Sequence, residues 1–196
     1  MTAIVFWVVF AAIALNIATT AWSIARPQLR VWPPPGETSW QYWYTLTVSL
    51  VWMLGFLALG ILDWNSFVLG HWARYIVGGT AIVGGVLVSQ RAVHALSLNA
   101  TRGLAGDLVT NGPYRYSRNP QYVAYIAVVL GYAVSCNSGL SLAAAGLATV
   151  SFLLGPFAEE PWLRERLGAR YEAYAAEVPR FVGKCGAWHE CGLTSR

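Results

Sequence analysis

Two polar clusters stand out in a chain that is otherwise mostly apolar. The first is Asn111-Gly112-Pro113-Tyr114-Arg115-Tyr116-Ser117-Arg118-Asn119-Pro120-Gln121-Tyr122, and the second is the pair Glu159-Glu160, which begins 40 residues beyond Asn119. Guanidinium groups grip carboxylates or phosphates through paired hydrogen bonds. Tyrosine rings stack on flat heterocycles or attract a cation to their faces. A carboxylate in a site that excludes water holds a cation or takes a proton. Ionisable and amide groups in so apolar a chain are costly unless they pair with one another or serve a ligand. The competing role for the same residues is an Arg–Glu network that closes the end of a helix bundle, and composition alone favours neither.

The intervening segment joins the clusters. From Asn119 to Ala158 there is no Asp, Glu, Lys or Arg, and Cys136-Asn137-Ser138-Gly139 interrupts the apolar run near its middle. Two apolar arms of similar length, about 121–135 and 140–157, make a hairpin that leaves a surface and returns to it. Asn119 and Glu159 are thereby expected on one side, facing each other.

A composition of 56% hydrophobic and 11% charged residues, with a mean hydropathy of +0.47, excludes an ordinary soluble domain. Uncharged runs place two further spans near 3–24 and 42–62, and a less pure third lies near 73–96, with Gln90, Arg91 and His94 toward its end. The expected fold is therefore all-α and polytopic, with about five transmembrane helices, the last two forming the C-terminal hairpin. One membrane domain is expected over 1–196, divided into three N-terminal spans (1–96), a motif-and-hairpin part (97–181) and a tail (182–196). Pro33-Pro34-Pro35-Gly36 marks a loop, and Trp32, Trp40, Tyr42, Trp43 and Tyr44 beside it resemble an interfacial aromatic belt. After the hairpin, Leu163, Leu167, Tyr171, Tyr174 and Val178 define one face of an amphipathic helix over 161–178, lying on the membrane surface or lidding the site. Gly168 weakens that helix.

In the third span, Gly78-Gly79 and Gly84-Gly85 are expected to serve close helix packing. Gln90 and His94, four apart on one face, are candidates with Tyr125 for a substrate pocket. Every Lys and Arg except Arg74 falls on one side of the five-span arrangement, at or near its surface. The positive-inside rule makes that side cytoplasmic and the N-terminus external. The net charge of +4 suits anionic lipid headgroups. Without a basic tract interleaved with exposed aromatics, no nucleic-acid partner is expected. Cys185, His189 and Cys191 match no strong zinc spacing, so no metal site is expected there.

The combination Gly112–Tyr122, uncharged hairpin, Glu159-Glu160-Pro161-Trp162-Leu163, then Leu167-Gly168, Tyr171, Tyr174, Val178 and Arg180 is specific. It resembles the superfamily of integral membrane isoprenylcysteine carboxyl methyltransferases and phospholipid methyltransferases, over about 97–181. The resemblance implies S-adenosylmethionine as cofactor, held by Gly112, Tyr114, Arg115, Tyr116, Asn119, Tyr122, Glu159 and Glu160. It implies Glu160, as base, and Arg118 as catalytic residues. Asn119-Pro120-x-Tyr122 with Glu159-Glu160-Pro161 is closer to the phosphatidylethanolamine N-methyltransferase form. Arg115-Tyr116-x-Arg118 and Tyr171-x-x-Tyr174 are closer to the carboxyl methyltransferase form. The implied reaction is methyl transfer to an amphiphile reaching the site from the inner leaflet, with a phospholipid headgroup amine leading. Carboxyl O-methylation of an isoprenylcysteine-like or other small lipophilic acceptor is the alternative, and a non-enzymatic membrane binding or assembly protein is the alternative of another class.

Overall fold

The computed structural model describes residues 1–104 and 106–182. The chain forms α1 (Thr2–Ala25), α2 (Trp40–Leu62), α3 (Ala73–Leu96), a single turn α4 (Leu98–Thr101), α5 (Pro120–Cys136), α6 (Gly139–Leu167) and α7 (Ala169–Glu177). Short 3-10 turns occupy Pro27–Leu29 and Gly112–Arg115. Helices α1, α2, α3 and α6 are long and apolar enough to cross a membrane, and α5 is a shorter apolar helix of 17 residues. At about 1.5 Å per residue α5 is about 26 Å long, close to the thickness of a hydrocarbon core.

The starts of the helices follow their sequences. Ser39 caps α2 by accepting from the Tyr42 amide, Ser138 caps α6 by accepting from Ser141, and Pro120 opens α5 where no amide donor is needed. Helix α1 packs on α2 and α6, α5 packs on α6, and α3 lies along α5. The core gathers Val9 and Ile13, Phe56 and Leu59, Val129 and Ala133, and the small residues Ala144, Ala145 and Ala148. Alanine at three positions on one face of α6 lets its neighbours come close, as suits helices whose outer faces meet lipid. Those outer faces carry exposed Trp7, Leu54, Ile76, Val77 and Val83.

The glycine pairs divide by face. A Cβ on Gly85 would lie 2.7 Å from the Ala124 carbonyl oxygen, and Gly78 is similarly pressed against Gly131, whereas Gly79 and Gly84 border open space. Only the inner member of each pair serves packing.

The far end of the α5–α6 hairpin is pinned by its own polar residues. Asn137, fully buried and in left-handed conformation at φ 50°, accepts from the Leu69 amide and donates to the Asn65 side chain and the Phe67 carbonyl. Asp63 accepts from Ser138, Ser66 and the Leu140 amide, bonds that outweigh burial and hold its carboxyl below the ordinary value.

Two boundaries differ from the sequence expectation. Helix α6 does not end near 157 but continues through Pro156 and Pro161 to Leu167. The expected single amphipathic helix over 161–178 is therefore split: its first turns belong to α6, and the chain turns at Gly168, φ 56°, before α7 begins. Tyr171, Tyr174 and Val178 then bury against Leu108, Leu163 and Leu167, so α7 closes over the end of the bundle.

Candidate functional site

The hairpin returns Glu159 to the first turn of α5. Tyr122 donates its hydroxyl proton to Glu159 Oε1 in a short hydrogen bond. Gly155, one turn earlier on α6, leaves the space that the Tyr122 ring fills, since a Cβ there would meet the ring at 2.6 Å. The second donor to Oε1 comes from the loop after α1, where Trp32 Nε1 lies 2.6 Å away. That loop is anchored by Ser23 Oγ, which accepts from the amides of Val31 and Trp32 at 3.0 and 3.1 Å. Both donors take the same oxygen, and Oε2 receives neither.

Glu160 is turned about 100° around the helix from its neighbour. It is 1% exposed and faces three guanidinium groups. Arg180 grips it bidentately, Nε to Oε1 and Nη2 to Oε2, each at 2.8 Å. Arg164 and Arg118 approach Oε2 at 3.3 and 3.4 Å. The hydrogen bond to Glu160 raises the pKa of Arg180, against the opposing effect of burial. The strap carrying Arg180 is tied to the start of α5. The Arg118 amide donates to the Pro179 carbonyl, and Asn119 Nδ2 donates to the Arg180 carbonyl at 3.0 Å.

A cavity of about 270 Å³ lies against these groups. One wall carries Tyr114, Arg118, Asn119, Gln121, Tyr122 and Tyr125, and the facing wall carries Ser151, Phe152, Gly155, Glu159 and Trp162. Trp32 and residues of the 100–109 segment border it, and Tyr171 and Tyr174 of α7 close it. Asn16, Thr19 and Thr20 of α1 with Thr45, Ser49 and Trp52 of α2 complete the lining. Ser151 donates to Asn16 Oδ1 at 2.7 Å, tying α6 to α1. Gln121 Nε2 donates to Thr101 Oγ1 and to the Tyr114 hydroxyl, and Tyr174 donates to the Tyr114 carbonyl. Burial pushes the Tyr114 phenol above its ordinary value. The Tyr171 phenol is pushed up to about 12, by burial first and by nearby Glu160, against the opposing pull of Arg118 and Arg164.

Arg118 is the unusual member of this wall. Its side chain is 11% exposed, yet Nε and Nη1 make no hydrogen bond; the approach of Nη1 to Glu160 is an ion pair outside hydrogen-bond geometry. Buried guanidinium donors left unmatched are costly and suit an anionic group of a ligand.

The expected residues sort into two groups. Tyr114, Arg118, Asn119, Tyr122, Tyr125 and Glu159 line the cavity, while Glu160 is not among its lining residues and lies within the arginine cluster. Gly112, Arg115 and Tyr116 lie on the exposed part of the 3-10 turn and the residue after it, outside the lining. Gln90 and His94 are exposed and likewise outside it. The residues 185, 189 and 191 lie outside those described. Sequence reasoning assigned no site role to Trp32, Gln121 or Arg180. Trp32 had one available signal, its position against the rigid Pro33-Pro34-Pro35 run.

A sequence model for phospholipid methyltransferases matches residues 73–170. The chain belongs to the phospholipid methyltransferase family. Comparison with curated proteins and with solved structures returned no match. The family is one of membrane methyltransferases with phospholipid-like substrates. The matched segment runs from α3 to the start of α7 and contains Arg118, Asn119, Tyr122 and both glutamates. Trp32 and Arg180, which complete the surroundings of the glutamates, lie outside it.

Proposed function

We propose that this phospholipid methyltransferase family member transfers a methyl group from S-adenosylmethionine to the headgroup amine of a membrane phospholipid, with phosphatidylethanolamine as the leading acceptor. The observation that carries this reading is the split charge of the cavity wall. Arg118 lines the cavity and holds two buried nitrogens that make no hydrogen bond, while Glu159 has an oxygen that takes neither of the bonds holding its carboxylate. S-adenosylmethionine has a carboxylate, an ammonium, a sulfonium and a flat base, and this donor set fits it. Arg118 would bind its carboxylate, Glu159 would face its positive charge, and Tyr122, Tyr125 and Trp32 would offer aromatic faces.

When bound, the cofactor supplies an activated methyl group, so the chain's tasks are alignment and exclusion of water. The α7 lid and the Trp32 loop exclude water. Tyr122 and Trp32 fix Glu159 Oε1, leaving Oε2 as the atom suited to take a proton from an acceptor amine. We therefore assign the proton-holding role to Glu159 and a positioning role to Glu160, through its hold on Arg118 and Arg180. The basic residues clustered at this end of the bundle support a cytoplasmic catalytic face, an external N-terminus and acceptor entry from the inner leaflet.

The test has two parts. Calorimetry should show binding of S-adenosylmethionine and its demethylated product to detergent-solubilised protein. Protein incubated with labelled cofactor and phosphatidylethanolamine vesicles should label the lipid, and failure of that lipid to acquire label would sink the leading acceptor.

A further inference from the structure

Trp162 is a wall of the cavity and also of a second, more open pocket completed by Arg30, Glu165 and Arg166. The Arg166 guanidinium lies over the Trp162 ring, 5.7 Å from its centroid. Arg30 donates through Nε to the Pro33 carbonyl at 3.1 Å, which fixes its stem and leaves the two terminal nitrogens. These two arginines differ from their neighbours. Arg118, Arg164, Arg170 and Arg180 each have a carboxylate within 4 Å, but among the described residues neither Arg30 nor Arg166 has one, although Glu165 shares their pocket.

The helix places this pocket in line with Glu159. Positions 159, 162 and 166 share one face of α6 at spacings of three and four. The rise from Glu159 to Arg166 is about 10 Å, and a helical side chain leans back toward the N-terminus, as stacking on Trp162 requires here. Stacking places the guanidinium beside the indole that also borders the cavity lined by Glu159. The wall thus presents a negative group inside, an indole, and then two cations offset by one carboxylate. That order is the inverse of a zwitterion that carries an amine at one end and a phosphodiester beside it.

We infer that Arg30 and Arg166, with Trp162, form a subsite for the phosphodiester of a lipid headgroup whose amine lies at Glu159. The inference rests on the methyltransferase reading for the position of the amine. Guanidinium groups bind phosphate oxygens in pairs, and two of them against Glu165 leave one positive charge for one phosphodiester charge. The subsite would select phosphate-bearing amines over other lipophilic amines.

Native mass spectrometry of the full chain in detergent tests this by direct affinity. The lipids are phosphatidylethanolamine and a phosphate-free lipid amine with the same acyl chains. The wild-type protein should bind the phospholipid at least 10-fold more tightly, and Arg30→Gln/Arg166→Gln should abolish that preference. Because Arg30 also holds the Trp32 loop through Pro33, Arg166→Gln alone carries the test separately and should reduce the preference several-fold. Arg91→Gln, outside both pockets, should keep it. A preference that survives in the double variant, or equal weakening toward both lipids, overturns the subsite. Glycerophosphoethanolamine should compete with the phospholipid; competition by inorganic phosphate to the same degree would overturn the lipid assignment in favour of a free-phosphate site. Calorimetry with S-adenosylmethionine on the same samples separates the two readings. Lost cofactor binding with the lipid preference intact sinks the methyltransferase reading, and the reverse sinks the subsite.

Discussion

Glu159→Gln and Glu160→Gln are chemically identical changes at adjacent positions, and the structure predicts opposite consequences. Glu160 is buried under bidentate Arg180, with Arg118 and Arg164 beside it. A neutral amide there leaves the Arg118 guanidinium, 11% exposed, without its counter-charge. Breaking a buried pair costs about 3–5 kcal/mol. Arg180 and Arg164 are 31% and 39% exposed, so water compensates part of the loss and the lower end applies, about 3 kcal/mol. For a chain of this size that corresponds to a fall of about 6–12 °C in Tm. At Glu159, the amide oxygen of Gln still accepts from Trp32 and Tyr122, so Tm should move by less than about 3 °C. What is lost is the charge facing the cavity. A hydrogen bond to a charged group contributes about 1.5–3 kcal/mol, which predicts about 10- to 100-fold weaker binding of S-adenosylmethionine. Thermal unfolding in detergent and calorimetry with the cofactor measure the two quantities on the same samples. If Glu160→Gln melts like the wild type while Glu159→Gln unfolds, or if both lose cofactor affinity equally at unchanged Tm, the division of labour is refuted.

Gly85→Ala drives a methyl toward the Ala124 carbonyl and should cost about 1–3 kcal/mol, whereas Gly84→Ala meets nothing and should be neutral or slightly stabilising; equal effects in thermal unfolding would remove the packing assignment. Asn137→Ala loses three side-chain hydrogen bonds and strains a left-handed residue, predicting a loss of about 3 kcal/mol, while Asn137→Gly should recover about 1 kcal/mol of it. Tyr171, with its phenol pushed up to about 12, favours the folded state fully below pH 10 and loses that contribution as pH rises through 12. Stability should fall at about 1.4 kcal/mol per pH unit from this group. Tyr171→Phe should flatten the alkaline limb of the Tm–pH curve, and an unchanged limb would refute the role of burial.

The juxtaposition at the heart of the site was legible because it depends on a length and a composition. Two uncharged arms must return to the surface they left, and the Tyr122–Glu159 and Arg118–Glu160 contacts follow. Rotation about the helix axis was not legible. Gln90 and His94 share a face, as their spacing of four requires, but α3 turns its glycine face to α5 and leaves them exposed. The same ambiguity hid which glutamate meets the cavity. The extent of α6 is hidden for a different reason: Pro161 looks like a helix start in water, but a membrane helix with packed neighbours tolerates an internal proline. The neighbours of Trp32 suggest an aromatic belt, and nothing local announces its bond across 127 residues.

The adjacent glutamates make sense as a pair only when their charges are considered together. Two carboxylates on consecutive residues repel, and the repulsion grows where the dielectric is low. Surrounding Glu160 with Arg118, Arg164 and Arg180 neutralises one of the two, so the cavity meets the negative charge of Glu159 alone. The same arginines carry mechanical consequences. Arg180 belongs to the strap whose carbonyls hold the Arg118 amide and Asn119, and those residues begin the helix that delivers Tyr122 to Glu159. Arg118, which lines the cavity, is drawn toward Glu160 by one nitrogen, and its buried Nε makes no hydrogen bond. Glu160 therefore acts on a bound ligand through the position of Arg118 and the electrostatic isolation of Glu159, which is why removing its charge should register first in stability and removing that of Glu159 first in binding.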